Sequence, residues 1–121
     1  MKKLQAEIKE YLEERGWDKT NTPPDVAKSI VIEAAELLEL FQWGSISKEE
    51  LLKDNEHFEE VKKELADVFI YCLDMTVVLD IDAEEIIREK LDMVKKKYPA
   101  EKVRGNGQEV GHIHRRHRKK T

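Results

Sequence analysis

Two pairs of acidic residues in this chain share one spacing, Glu33 with Glu36 and Glu64 with Asp67. Residues three apart lie on one face of an α-helix, so each pair presents two carboxylates side by side. If two such helices pack together, four carboxylates meet and repel one another unless a cation lies among them. Carboxylate oxygens are the ligands that Mg²⁺ and Mn²⁺ prefer. The spacing therefore predicts a divalent metal site and chemistry on phosphates.

A Glu-x-x-Glu pair is weak evidence by itself, because a chain with 26 acidic residues forms such pairs by chance. The pairs within residues 7–13 and 56–59 are expected to be solvated. The pairs at 33/36 and 64/67 differ, since apolar residues flank them closely. The small side chains of Ala34, Ala35 and Ala66 also permit two helices to approach each other.

The composition favours amphipathic helices. Hydrophobic and charged residues each make up 40% of the 121 residues, with only 5 glycines and 3 prolines, which is typical of an all-α fold with a single core. There is no apolar stretch of membrane-spanning length and no signal-peptide pattern, so we expect a cytoplasmic protein. The single Cys72 excludes an internal disulfide, and its position on an apolar helix face predicts a buried residue.

Apolar periodicity, caps and breakers place the helices. We expect helices at about 3–15, 24–43, 56–79 and 83–97, with a short one up to residue 53. Gly16 should end the first, Thr22 should cap the second, and Ser47 with Glu50 should open the short one. The predicted core faces of the second and third long helices are Ile30, Ala34, Leu37 and Phe41, and Val61, Leu65, Val68, Cys72, Met75 and Leu79.

From Val68 to Ile81 the third long helix is apolar almost all round, apart from Asp74 and Asp80. One small chain cannot cover every side of such a helix. We therefore expect a homo-oligomer, either a dimer or a tetramer, that forms through this helix.

The charge is distributed unevenly. Basic residues dominate the end of the chain, so the rest is more acidic than the net charge of −4 suggests. An acidic body makes a nucleic-acid partner unlikely, because phosphate contacts need cations. We predict one domain at residues 1–106 and a disordered, basic, His-rich tail at 107–121, with polyanion or metal binding by the tail as the alternative.

The motifs around the acid pairs resemble those of the MazG-like nucleotide pyrophosphohydrolases. Residues 29–43, SIVIEAAELLELFQW, resemble the first signature of that family, and residues 64–71, ELADVFIY, resemble the second. Lys90-Leu91-Asp92 with Lys97-Tyr98-Pro99, and Trp17-Asp18 with Thr22-Pro23, resemble its C-terminal segment and its loop before the second helix. The likeness spans about residues 4–106.

This resemblance implies an all-α, four-helix-bundle-like fold that oligomerises. It also implies Mg²⁺-dependent hydrolysis of a (deoxy)nucleoside triphosphate to the monophosphate and pyrophosphate, in nucleotide-pool house-cleaning. Glu33, Glu36, Glu64 and Asp67 would be the metal ligands. Trp17 and Trp43 would contact the base, Tyr71 would line the pocket, and Lys90 and Lys97 would pair with phosphate. Relatives often carry other residues where Thr20-Asn21 and Pro24-Asp25 stand, so base and sugar preference stay open.

Several alternatives stay open at the level of sequence. Glu36 or Glu39 could activate the attacking water, and Glu39 could equally be a solvated residue. Trp43 and Tyr71 could serve packing alone, and lysines on a Lys-rich helix are solvated by default. The main alternative function is a non-catalytic module that binds nucleotide or metal as a regulator. A purely structural bundle and nucleic-acid binding through the tail are the other two.

Overall fold

Helices account for nearly all of the regular structure in this computed structural model, which describes residues 1–104 and contains no strand in that range. The helices are α1 Lys2–Glu14, α2 Pro23–Glu39, α3 Lys48–Lys53, α4 Asn55–Val78, α5 Ala83–Lys97 and α6 Ala100–Val103. The all-α class is confirmed. The short α6 was not expected, and the predicted tail at 107–121 lies outside the described residues.

The predicted helix caps are present. Gly16 follows α1 with φ +71°, a left-handed conformation that glycine adopts without strain. The Thr22 hydroxyl accepts a hydrogen bond from the Asp25 backbone N–H at 3.3 Å. The Ser47 hydroxyl accepts one from the Glu50 N–H at 3.1 Å. These contacts satisfy backbone donors that a helix start otherwise leaves without partners.

The second long helix ends earlier than the sequence suggested. α2 ends at Glu39 rather than near Trp43. The Phe41 N–H donates to the Leu38 carbonyl at 2.9 Å, so the chain tightens into a turn after the helix. The His57 ring on α4 lies at the same place, with Nε2 2.7 Å from the Leu40 carbonyl oxygen. His57, which is distant in sequence, thus binds the Leu40 carbonyl oxygen that would accept an intrahelical hydrogen bond if α2 were longer.

The helices divide between two compact units, Met1–Ala83 and a second that begins at Glu84. In the first unit α4 is the central element, against which α1, α2 and α3 all pack. Its core contains Ile8 and Leu12 of α1, Leu73 of α4, and Ala83. The second unit contains α6 and the rest of α5.

The buried face of α4 differs from the predicted one. Cys72 is exposed, and Leu65 and Leu79 are exposed by 39% and 49%. Leu73, Asp74 and Thr76 are buried instead. On α2, Val26 is buried while Ala34 is exposed. The other residues of the two predicted faces are half-buried, namely Ile30, Leu37 and Phe41, and Val61, Val68 and Met75 of α4. Each predicted face was therefore right in part. The apolar sequence of α4 continues almost all round the helix, so it does not show which side a neighbouring helix will cover most fully.

Gln5 explains how α1 is fixed on this face of α4. Its amide Nε2 donates to the Thr76 hydroxyl at 2.7 Å and to the Ile81 carbonyl at 3.0 Å. Its Oε1 accepts from the Ala83 N–H at 3.3 Å. A single buried side chain thus joins α1 to the C-terminal end of α4 and to the turn before α5.

Among residues 1–104, no helix is long and apolar enough to cross a membrane.

Candidate functional site

The packing of α2 on α4 brings the two acid pairs together. Glu33 of α2 and Glu64 and Asp67 of α4 each offer one carboxylate oxygen, and these three atoms lie within 4.8 Å of one another. The predicted i, i+3 spacing places Glu64 and Asp67 on the same side of α4, where Glu33 meets them. This acid cluster, Glu33, Glu36, Glu64 and Asp67, is the candidate metal centre.

Glu36 completes the cluster by contact with the two other glutamates. Burial is the largest factor that raises the pKa of Glu33, and a hydrogen bond with Glu36 and repulsion by its charge raise it further. Burial also raises the pKa of Glu64, followed by repulsion by Glu36 and a hydrogen bond with it. The cluster therefore holds more negative charge than the protein alone stabilises.

Two oxygens of the cluster have the chemistry that a bound cation requires. Glu33 Oε2 and Glu64 Oε2 are shielded from solvent and have no hydrogen-bond partner among residues 1–104. A buried acceptor without a donor is costly, and carboxylate oxygens without a donor suit a hard cation. The donor set consists of carboxylates alone, which fits Mg²⁺ or Mn²⁺ better than softer metals.

Glu39 lies at the edge of this cluster. It is the last residue of α2 and is exposed, yet its charge contributes to the raised pKa of Glu64. Glu36, in contrast, is half-buried and hydrogen-bonded within the cluster. Of the two candidates for water activation, Glu36 therefore interacts more closely with the other carboxylates than Glu39 does.

A cavity of about 980 Å³ adjoins the cluster between α1, the loop that follows it, and α4. Asp67 lines this cavity as well as belonging to the cluster. Trp17 lines it from the loop and is 46% exposed. Its ring meets Tyr11 edge-on, with centroids 5.9 Å apart. An aromatic wall next to a carboxylate cluster can accept a planar group joined to a polyphosphate.

Tyr71 connects the cavity to the cluster. It lines the cavity, and burial, followed by the negative charge of Glu33, raises the pKa of its hydroxyl. The tyrosine therefore stays protonated at neutral pH and can donate a hydrogen bond.

Sequence reasoning missed Asp74 as a site residue. It lines the cavity and is only 4% exposed. Asn21 Nδ2 donates to its Oδ2 at 3.4 Å, while Oδ1 is shielded and has no partner in the described part of the chain. Burial raises its pKa, against a smaller lowering by the Asn21 hydrogen bond. The sequence feature that could have identified Asp74 is its position as a lone acid in an apolar stretch, seven residues after Asp67.

Three further residues were predicted for the site, Trp43, Lys90 and Lys97. Trp43 follows α2, is 91% exposed and does not line this cavity. Lys90 and Lys97 belong to α5 in the second unit, where Lys97 Nζ lies 5.7 Å from the ring centroid of Tyr98. The roles assigned to these three residues stay predictions.

Comparison with known proteins agrees with these features. The chain is 29% identical over 99 residues to dCTP pyrophosphatase 1 of Rattus norvegicus, and 28% identical over 106 residues to that of Homo sapiens. The matches cover 80% of this chain and 58% of each relative, so the chain spans little more than half of their length. A pyrophosphatase from Archaeoglobus fulgidus is 41% identical with a TM-score of 0.72, covering 82% of this chain and 92% of that one. The profile of the MazG-like family matches residues 28–113, and the chain belongs to that family.

Proposed function

We propose that this chain hydrolyses (deoxy)nucleoside triphosphates to the monophosphate and pyrophosphate, with Mg²⁺ as the metal and Mn²⁺ as a substitute. The observation that carries the proposal is a pair of shielded oxygens, Glu33 Oε2 and Glu64 Oε2, beside a cavity with an aromatic wall. Neither oxygen has a hydrogen-bond partner in the part of the chain that the structure describes. The names of the relatives, dCTP pyrophosphatase and pyrophosphatase, support the same reaction.

In this proposal Glu33, Glu36, Glu64 and Asp67 hold the metal through carboxylate oxygens. A divalent cation bound there supplies charge neutralisation of the polyphosphate and polarisation of the attacked phosphorus. Glu39 is the better placed of the two candidates for the attacking water. It acts on the cluster electrostatically but is exposed, so its carboxylate is available to take a proton.

Residues of the cavity would orient the nucleoside. Trp17 would contact the base through its ring, and Tyr71 would donate a hydrogen bond towards the sugar or phosphate. Trp43, Lys90 and Lys97 keep their proposed roles, the tryptophan at the base and the lysines at phosphate. Residues 1–106 would form the catalytic domain, with 107–121 as a basic tail.

Self-association is part of the proposal. Val31, Ala35 and Leu38 follow one another at i, i+4 and i+7 on α2 and are all exposed, Val31 by 68% and Leu38 by 66%. Phe69 and Ile70 of α4 are exposed as well. Exposed apolar residues in a row along one helix are typical of an interface. We propose a homodimer or homotetramer in a cytoplasmic house-cleaning role.

The test is a panel of canonical and modified (d)NTPs incubated with Mg²⁺, with pyrophosphate and phosphate measured separately. Wild type should release pyrophosphate but no phosphate, and EDTA should abolish the release. Glu64→Gln removes one cluster charge at almost unchanged volume and should lower turnover by at least ~100-fold. Glu60→Gln, an exposed position one turn earlier on α4, is the matched control and should keep wild-type turnover.

Each other outcome points to an alternative. Release of phosphate rather than pyrophosphate would contradict the proposed bond cleavage. If no nucleotide is hydrolysed with either Mg²⁺ or Mn²⁺, the non-catalytic nucleotide- or metal-binding module becomes the better description. Hydrolysis that survives Glu64→Gln would place the active site elsewhere.

A further inference from the structure

Asp74 lies where the far end of a nucleoside would lie if its phosphates met the acid cluster. Asp67, Tyr71 and Asp74 are spaced i, i+4 and i+7 on α4 and all line the same cavity. At 1.5 Å per residue, Asp67 and Asp74 are about 10 Å apart along the helix axis. That separation is comparable to the span from the α-phosphate of a nucleotide to the outer edge of its base.

The carboxyl of Asp74 is incompletely satisfied by the protein. Asn21 Nδ2 donates to Oδ2 at 3.4 Å, a long contact that holds the group in one orientation. Oδ1 is buried and receives no hydrogen bond within residues 1–104. An acceptor in that position costs stability unless something entering the cavity brings a donor. If Asp74 did not bind a donor of this kind, an apolar residue could replace it at little cost in stability.

We propose that Asp74, oriented by Asn21, recognises the exocyclic amino group of the base. This inference rests on the proposed function for the placement of the phosphates, and it extends that function to the class of base. An amino N–H, such as N4–H of cytosine or N6–H of adenine, donates to the vacant acceptor. The carbonyl oxygen that uracil or hypoxanthine carries at the same position meets a second oxygen and is repelled.

Discrimination of this kind is larger than shape alone would produce. The amino and carbonyl forms have nearly the same size, so an apolar pocket of this volume would bind both about equally. A buried polar group that loses its partner on binding the wrong analogue makes the difference. One well-formed contact of this class corresponds to about tenfold or more in relative affinity.

The test uses two matched pairs of nucleoside monophosphates, dCMP with dUMP and dAMP with dIMP, titrated in Mg²⁺. Quenching of tryptophan fluorescence reports binding, since Trp17 lines the cavity. Monophosphates are products, so the measurement does not depend on turnover. Wild type should bind the amino member of at least one pair about tenfold more tightly. Asp74→Asn replaces one acceptor by an N–H₂ donor and should reduce that ratio towards one or invert it.

Two further variants separate recognition from folding. Asp18→Asn makes the same chemical change at an exposed loop position outside the cavity lining, and it should keep the wild-type ratio. Asn21→Ala removes the orienting amide and leaves Asp74 in place. Like Asp74→Asn, it should reduce the affinity ratio towards one. It serves as the second test if Asp74→Asn does not fold.

Four results would overturn the inference. The first is that wild type binds both members of each pair equally, and the second is that it binds none of the four. The third is that Asp74→Asn and Asn21→Ala leave the ratio unchanged. The fourth is that the Asp74→Asn effect is equal for both members and vanishes with dideoxycytidine monophosphate, which would assign Asp74 to the sugar hydroxyl. Base-selective binding without any hydrolysis would support this inference and remove only the proposed catalysis.

Discussion

Glu33 of α2 and Glu64 of α4 meet across the helix interface, and each has one shielded oxygen that no donor among residues 1–104 reaches. Burial is the largest cause that raises the pKa of both carboxyls above the usual range, and the neighbouring carboxylates, Glu36 first among them, raise it further. The metal-free protein therefore holds these two charges together at a cost, and a cation that bound between them would relieve it. This relationship links the stability of the bundle to its proposed activity.

The first prediction follows from that link. Mg²⁺ should raise the melting temperature of wild type, because a ligand at one hundred times its dissociation constant adds about 2.7 kcal/mol. Glu64→Gln should abolish most of this increase, yet melt no lower than wild type in EDTA because repulsion is relieved. Differential scanning fluorimetry with and without Mg²⁺ measures both effects.

Glu60→Gln is the control, since that residue shares the helix but not the cluster. It should retain the full response to Mg²⁺. A Glu64→Gln variant that melts well below wild type in EDTA would mean that the carboxylate stabilises the fold, which contradicts a site strained by its own charge.

The second prediction distinguishes the two acids that could activate water. Glu36 is hydrogen-bonded to Glu33, whereas Glu39 is exposed at the end of α2. Glu39→Gln should lower kcat by about 100-fold or more, the usual contribution of a general base, with little change in the Mg²⁺ concentration required. Glu36→Gln should raise that concentration as well as lower kcat. Steady-state rates as a function of Mg²⁺ separate the two.

Equal Mg²⁺ dependence in both variants would contradict this division of roles. Loss of activity in Glu36→Gln alone, with Glu39→Gln fully active, would make Glu39 a solvated residue, as its exposure also allows.

The acid cluster was predictable because its information is local. Spacing of i, i+3 sets which carboxylates share a helix face, and apolar neighbours indicate that the face packs. The start of α2 was predictable for the same reason, since Thr22 caps it through the nearby Asp25 N–H. Its end was not, because His57 binds the Leu40 carbonyl from another helix.

The face of α4 that is buried could not be derived from periodicity. Residues 68–81 are apolar on nearly all sides, so the helix has no preferred side until α1 covers one. Gln5 fixes which side of α4 is covered by α1, because it donates a hydrogen bond to Thr76. A hydrophobic pattern does not reveal a polar contact of this kind. Asp74 is buried by the same packing, which explains why it was not recognised as a site residue.

The third prediction concerns Asp74 and pH. Burial raises its pKa above the ordinary value of 3.8, so between the two values the folded state binds more protons than the unfolded state. Stability therefore falls as pH rises through that window and stays lower above it. Asp74→Asn should be more stable than wild type at pH 7, by about 1 kcal/mol, the lower end of the cost of an unsatisfied buried group.

Urea unfolding in EDTA at several pH values between 4 and 8 measures this difference, which should shrink as pH falls. Asp18→Asn controls for loss of one acid at a position that is exposed. If the stability difference between Asp74→Asn and wild type instead grew towards low pH, the charge of Asp74 would stabilise the fold, which contradicts the prediction.

The fourth prediction tests the junction formed by Gln5. Gln5→Ala leaves the Ala83 N–H and the Ile81 carbonyl without their partner and opens a small void. Together these effects should destabilise the fold by about 2 kcal/mol. Thermal or urea unfolding measures the loss, with Lys3→Ala, an exposed α1 position, as the control. A loss no larger than that of Lys3→Ala would show that α1 is held by Ile8 and Leu12 alone.

The fifth prediction concerns assembly through α2. If Val31 and Leu38 form part of an interface, wild type should show a mass that is a multiple of 14.2 kDa by light scattering. The double variant Val31→Lys/Leu38→Lys should dissociate, because two charges buried in an apolar contact lose their hydration. Leu52→Lys makes the same change at an exposed position on α3 and should leave the assembly intact. A monomeric wild type would contradict self-association altogether, whereas an oligomer that tolerates the double variant would move the interface to the exposed residues of α4.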